Sequence, residues 1–272
     1  MRKYNVPALD RALDIIEYLG SVNDACPLKV ISKDTGKSPS ELFRILDCLV
    51  RRGYVKKDSK TNNYTLSLKL YSVTNNVPFV KRLVAAATEP MSLLTKQVGE
   101  SCHISVLEGS DLVVLYEQEG IFPVHIHARP GARIPVSMTS SGKVLLALKD
   151  ETEQRNILAG DKNYNDESAV FQQYFHSEVS HLHGSLSYVL APEKLASIGL
   201  DIIAPVRLFE DSYAALTLSC LELQNNRKNR KEIKELQHLT EQAAASIEEL
   251  LGYAVDKNTC GSEDADFLLP DT

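Results

Sequence analysis

The sequence contains no CxxC pair, and its five cysteines, Cys26, Cys48, Cys102, Cys220 and Cys260, follow no regular spacing. Four of them stand among apolar neighbours, which suits reduced buried thiols and a reducing cytoplasm better than a disulfide framework. No apolar h-region follows Arg2 and Lys3, and no run approaches the roughly 18 apolar residues needed to span a bilayer. The expectation is a soluble chain that is neither exported nor held in a membrane. Internal repeats are absent, as are the nucleophile elbow, phosphate loop and paired carboxylates that mark enzymes. Cys102 beside His103 does not fill that gap, because neighbours on a strand point to opposite faces and cannot partner each other. Neither a catalytic residue nor a cofactor is expected.

What is present is size and an uneven charge. A chain of 272 residues with 43% apolar content exceeds the usual single domain, so two domains are expected. Residues 1–75 carry 13 Lys and Arg against 8 Asp and Glu, whereas residues 76–272 carry 17 against 28. A basic unit joined to a larger acidic one fits a phosphate-contacting module attached to a body that stays off nucleic acid.

Between Pro7 and Leu19 the residues Leu9, Ala12, Leu13, Ile16 and Leu19 recur at helical spacing, and Gly20 is a stop signal. "LKVISKDTG" puts Leu28, Val30 and Ile31 on one face of a short second helix that ends in Gly36. A third start follows at once. Ser38 is placed as N-cap, Pro39 as first helical residue and Glu41 as the closing member of a capping box. The helix then runs through Leu42, Ile45, Leu46 and Leu49 to Arg52, and stops at Gly53. "YVKKD" and "NYTLSL", joined through asparagines that tolerate positive φ, make a basic two-stranded ribbon. Three short helices and a ribbon, with a tight turn between the second and third helices, predict a winged helix-turn-helix for residues 1–66.

In that motif the second helix of the pair enters the major groove and flanking groups clamp phosphate. Ser38, Ser40, Glu41, Phe43 and Arg44 occupy its N-terminal half, and Arg44 carries the fork that matches guanine O6/N7 or a phosphate oxygen. Lys37, Lys56, Lys57 and Lys60, with Lys29 and Lys33, suit backbone positioning. Arg44 in a surface ion pair, or the lysines as ordinary solvated charge, are the bland alternatives. Glu41 has two readings, as cap or as an acceptor for cytosine N4. The expected partner is double-stranded operator DNA; a winged-helix module that binds only protein would lack steep salt dependence.

A linker region with its helices is expected over residues 67–98, with helical period in "FVKRLVAAATEPMSLLTKQVGE". After Gly99 the period changes to two, and "CHISVLE", "LVVLYEQE" and "VHIHARPG" read as successive strands. "TSSGKVLLALKD" and "DETEQRNILA" read as helices, "LDIIAPVRLFE" and "YAALTLSCLE" as a hairpin, and "RKEIKELQHLTEQAAASIEELLGY" as a long last helix. The fold class expected over 99–256 is α+β around an antiparallel sheet, and residues 257–272 form an acidic tail.

Ser140 and Ser141 open the helix of "SSGKVLLALK", where unpaired N–H groups favour a carboxylate or phosphate, and Thr217 and Ser219 alternate onto one strand face. Together they form a candidate site for a small organic acid; an N-cap and a solvent-facing strand edge are the plain alternatives. "VHIHA" and "SHLHG" place His125 with His127 and His181 with His183, so that with Glu178 a zinc or nickel site is chemically conceivable, though two such pairs over 50 residues apart need a fold to join them. No metal site is assigned.

The blocks "ALDRALDIIEYL", "ISKDTGKSPSELFRILDCLVRRGYV", "YTLSLKL", "PVSMTSSGKVLLA", "IGLDIIAPV" and "YAALTLS", in that order over residues 7–252, resemble the IclR family of bacterial transcriptional regulators. The resemblance implies a winged helix-turn-helix, a linker helix and a GAF-like domain that binds a small effector, in a dimer or tetramer on pseudo-palindromic operators. It also implies that Ile202, Thr217 and Ser219 line the effector pocket, with Val124, Ile126 and Ile134 as apolar walls. The sequence departs from the family's pattern at Glu41 and Phe43 on the third helix, at the Ser140–Ser141 pair before Gly142 and Lys143, and at the acidic position for which only Glu193 stands nearby.

Overall fold

Helical and strand periods separate along the chain as the sequence requires, and the computed structural model describes residues 6–74, 77–182, 187–190, 199–209, 212–221 and 230–253. These residues fall into two compact units, 1–81 and 82–272. In the first, α1 (Pro7–Ser21), α2 (Leu28–Thr35) and α3 (Pro39–Arg51) precede β1 (Val55–Lys57) and β2 (Tyr64–Leu66), which pair antiparallel. Gly36, at φ 67°, closes α2 in the left-handed conformation and lets α3 begin three residues later. Asn62, at φ 59°, turns the ribbon, and the Asp58 carboxylate accepts from the N–H groups of Lys60 and Thr61 at 2.9 and 2.6 Å. Those bonds, led by that from Thr61, hold the Asp58 carboxyl below its ordinary range.

The core of this unit is Ile15, Leu19, Ile31, Leu42, Leu46, Leu49, Val55 and Tyr64. Each fully buried aliphatic contributes about 1.5–3 kcal/mol of transfer free energy. Leu9 and Leu13, read as part of the inner face of α1, are 55% and 47% exposed. Ile15 and Leu19 set the buried stripe, and Leu13 lies two residues, about 200° of helix, before Ile15. Val30 is likewise exposed, and Ile31 carries the core contact of α2.

A short α4 (Lys69–Thr74) leads to α5 (Pro78–Val98), which crosses from one unit into the other. The second unit is built on β3 (Ser101–Glu108), β4 (Asp111–Gln118), β5 (Arg133–Pro135), β6 (Tyr188–Leu190), β7 (Gly199–Phe209) and β8 (Ser212–Leu221). They lie in the order β5-β4-β3-β8-β7-β6, every pair antiparallel. One face packs Cys102, Ile104, Ile202, Leu216 and Leu218 against α5 and α10 (Arg230–Leu251). The other packs Ile203, Ala215 and Leu112 against α6 (Ser140–Ala147), α7 (Glu151–Gly160), α8 (Lys162–Asp166) and α9 (Ala169–His181). The result is a helix–sheet–helix unit.

The segment "VHIHARPG", expected as a strand, is irregular. Gly131, at φ 84°, donates to Val114 O at 2.8 Å, Val114 donates to Ala132 O at 3.1 Å, and the ladder resumes only at Arg133. The turn at Pro130–Gly131 postpones the strand. Glu193, His183, Cys260 and the acidic tail lie outside the described residues. Among the described residues no helix is long and apolar enough to cross a membrane.

Candidate functional site

In the first unit, α3 turns Leu42, Leu46 and Leu49 into the core, which leaves Phe43, 54% exposed, and Arg44 on its solvent face. The Arg44 side chain makes no hydrogen bond or ion pair with any described residue, so its fork is open to an outside acceptor. Ser38 and Ser40 are exposed at the start of the helix, their hydroxyls 3.5 Å apart. On the ribbon Lys56, Lys57 and Lys60 are exposed, and Lys57 Nζ sits 5.7 Å from the centroid of the Tyr64 ring. Lys37 departs from the expected pattern. Its side chain is only 17% exposed, and Nζ donates to Asp14 Oδ2 at 2.6 Å.

The capping box does not form. Ser38 holds the N-cap position with extended backbone and Pro39 opens the helix, but the Ser38 side chain makes no capping hydrogen bond. The Glu41 carboxylate pairs instead with the guanidinium of Arg11 on α1. A full positive charge within reach outcompetes a neutral backbone N–H for a carboxylate.

In the second unit, cross-strand register collects polar groups on the sheet face that α6 covers. Glu117, His103, Thr217, Ile203 and Tyr188 form one row across β4, β3, β8, β7 and β6. Ser101, Ser219 and Asp201 form the next row. Ser141 and Thr217, 76 residues apart, share a 2.7 Å hydroxyl contact, both buried. Ser219 Oγ donates to Asp201 Oδ1 at 3.0 Å. Burial pushes the Asp201 carboxyl up to about 6, opposed by Ser140 and Ser219, which favour its ionised form. Ser140 Oγ is fully enclosed beside that carboxyl and makes no hydrogen bond of normal geometry. Burial also lowers His103 to about 4, and its imidazole is neutral at physiological pH.

The local sequence explains how the serines reach this place. Thr139, not either serine, is the N-cap and accepts from the N–H of Gly142 at 3.0 Å. A Cβ at Gly142 would lie 2.4 Å from Val136 O and 2.5 Å from Thr139 Oγ1, so only glycine lets the helix start here. Lys143, 6% exposed, donates to Glu178 Oε2 at 2.8 Å, and Tyr174 donates to the other oxygen of that carboxylate at 3.0 Å. This pair ties α6 to α9.

Not every expected wall residue belongs to this face. Ile202 sits opposite Leu218 and packs toward α5 and α10, because strand alternation sends it away from Thr217 and Ser219. Ile203 and Asp201 take the facing positions. Val124 is 66% exposed, Ile126 is partly buried in the irregular segment, and Ile134 is opposite Leu112 on the helical side. Asp201 and His103, to which the sequence assigns no role, stand on this face with Thr217 and Ser219, and a lone acid in the apolar run "LDIIAPV" is the signal for the first.

The histidine pairs that make a metal site conceivable do not come together among the described residues, and His183 lies outside them. His181 closes α9 with Nδ1 2.5 Å from Ser177 O, and Glu178 is held by Lys143. His125 Nδ1 lies 3.2 Å from Phe122 O. Ligating atoms of Glu117, Glu119 and His127 do fall within 4.8 Å of one another. Glu117, however, is already satisfied by His127 Nδ1 at 2.5 Å and by the Ala128 N–H at 2.6 Å, contacts that tie the irregular segment to β4. Burial, with a smaller contribution from the Glu117 charge, raises the Cys102 thiol to about 12, and it faces the opposite side of the sheet from His103. That thiol is no nucleophile at neutral pH.

Comparison with known proteins matches residues 8–59 to the IclR helix-turn-helix domain and residues 80–249 to the C-terminal domain of bacterial transcriptional regulator IclR. The HTH-type transcriptional regulator XynR of Escherichia coli is 26% identical over 255 residues, covering 91% of this chain and 98% of that one. The probable transcriptional regulator SauR of Cupriavidus necator is 28% identical over 159 residues, covering 58% of this chain and 63% of that one. Among solved structures, an IclR homolog from Microbacterium hydrocarbonoxydans complexed with 4-hydroxybenzoate superposes with TM-score 0.73 at 20% identity, over 90% of this chain and 99% of that one. The Thermotoga maritima IclR gives 0.66 at 19%, over 90% and 98%. At such identities the structural likeness is one of fold. The matched relatives are transcriptional regulators, not enzymes. This chain belongs to the IclR family of bacterial transcriptional regulators, with an N-terminal helix-turn-helix DNA-binding domain.

Proposed function

We propose that this regulator binds pseudo-palindromic operator DNA as a dimer or tetramer through residues 1–66, and that a small organic acid bound within residues 99–256 shifts that affinity. The observation that carries the reading is the 2.7 Å contact between Ser141, at the start of α6, and Thr217, on the sheet beneath it, beside Ser219 and Asp201. A helix N-terminus, two hydroxyls and a carboxyl that can hold a proton near neutrality offer donors to an incoming carboxylate. The ligand exchanges the Ser141–Thr217 bond for bonds to itself, and its differential affinity for two arrangements of the oligomer moves the equilibrium. The aromatic hydroxy acid held by the Microbacterium homolog is a rational member of a ligand panel.

Calorimetric titration with a panel of carboxylic acids is the test. One acid should bind, and Ser141→Leu should abolish the heat while leaving the fold intact by circular dichroism. Full affinity in that variant would place the site elsewhere. Sedimentation velocity reads the oligomeric state, and a monomer at working concentration would exclude the dimer.

A further inference from the structure

Three side chains on one face of α1 grip the helix-turn-helix from outside. Arg11, Asp14 and Tyr18 are spaced by three and four residues, as neighbours on a helix surface are. Arg11 pairs with Glu41 in the first turn of α3. Asp14 Oδ2 accepts from Lys37 Nζ at 2.6 Å in the turn, and Tyr18 Oη donates to Asp34 Oδ2 at 2.7 Å near the end of α2. The rungs follow the chain from the end of α2 through the turn into α3, and they use up both charges that the turn and the first helical turn would show to DNA.

Glu41 stands in the part of α3 that would approach the phosphates, where a bare carboxylate opposes binding. Arg11 is 46% exposed and Glu41 29%, so the pair lies where DNA can sense whether it is neutral. We propose that Arg11 is a positioning residue for operator recognition, which neutralises Glu41 and orients the start of α3 without itself contacting DNA. The inference rests on the reading of α3 as the helix that meets DNA.

The test uses the full-length protein and a duplex enriched from a random-sequence pool by the unaltered protein. Binding is followed by fluorescence anisotropy over a range of salt. Arg11→Gln should weaken binding about tenfold, the change that an uncompensated charge of about 1.4 kcal/mol produces. The double variant Arg11→Gln/Glu41→Gln should return to within about threefold of the parent and keep the parent's slope of log affinity against log salt, whereas the deficit of Arg11→Gln should shrink as salt screens the bare Glu41. If the double variant stays as weak as the single one and the slope falls by about one, Arg11 is a phosphate ligand and the proposal is wrong. If Arg11→Gln binds like the parent, the pair has no role. Thermal unfolding of each variant guards against loss of fold, and the rescue by a second substitution is not expected of a merely destabilised domain. Arg44→Ala separates the two readings. Undiminished binding there removes α3 as the reader and the role of Arg11 with it, whereas weakened binding beside an indifferent Arg11→Gln overturns the proposal alone.

Discussion

At the scale of single residues, Asp201 is the group whose chemistry the fold changes most. Its folded pKa is raised to about 6 from an ordinary carboxylate value, so the native state binds a proton more tightly than the unfolded chain does. Stability from this group is therefore fully present below the unfolded pKa and is lost as pH rises through about 6. Ser140 and Ser219 face it as neutral groups. Asp201→Asn should raise the melting temperature at pH 7.5 and flatten its pH dependence between about 4 and 6. An unchanged profile would mean that Asp201 is solvated. A carboxylate ligand should also bind the parent more tightly at pH 5.5 than at 7.5, and that difference should shrink in the Asn variant. A lone acid in an apolar run signals burial, but the shift itself depends on neighbours far away along the chain.

At the scale of elements, α6 shows how a short stretch is held. Gly142 admits the close approach of Val136 O, Thr139 caps the helix, and Lys143 clamps it to α9 through Glu178. Glu178→Gln removes the carboxylate that faces a nearly buried ammonium and should cost about 3 kcal/mol in urea unfolding, read at constant slope. A loss below about 1 kcal/mol would show that the ammonium does not depend on this carboxylate. Much of the element pattern was legible. Gly36, Pro39 and Gly53 punctuate the helices, and the period of two announces β3, β4, β7 and β8. The misplaced third strand of the meander shows the limit: "VHIHARPG" alternates like a strand, but pairing with β4 begins only beyond Gly131. The capping box failed for a related reason. Local spacing put Ser38 three residues before Glu41, and a residue 30 positions upstream, Arg11, took the carboxylate.

At the scale of the whole molecule, charge is divided between the two halves of the chain, and the basic half carries the helix-turn-helix. Affinity for duplex DNA should fall steeply with salt, and Lys56→Gln/Lys60→Gln together should reduce the slope of log affinity against log salt by about two. An unaltered slope would take the ribbon off the DNA. Hydrophobic period, glycine and proline punctuation and charge asymmetry are local or additive properties, and they suffice for the two-part organisation, the winged helix-turn-helix and the antiparallel sheet. Which face of a strand meets which layer, which partner takes an ion and which carboxyl keeps its proton are settled by contacts between residues remote in sequence. Ile202 and Ile203 make the point: adjacent and chemically alike, they enter opposite cores because the register of β7 on β8 decides which one stands beside Thr217.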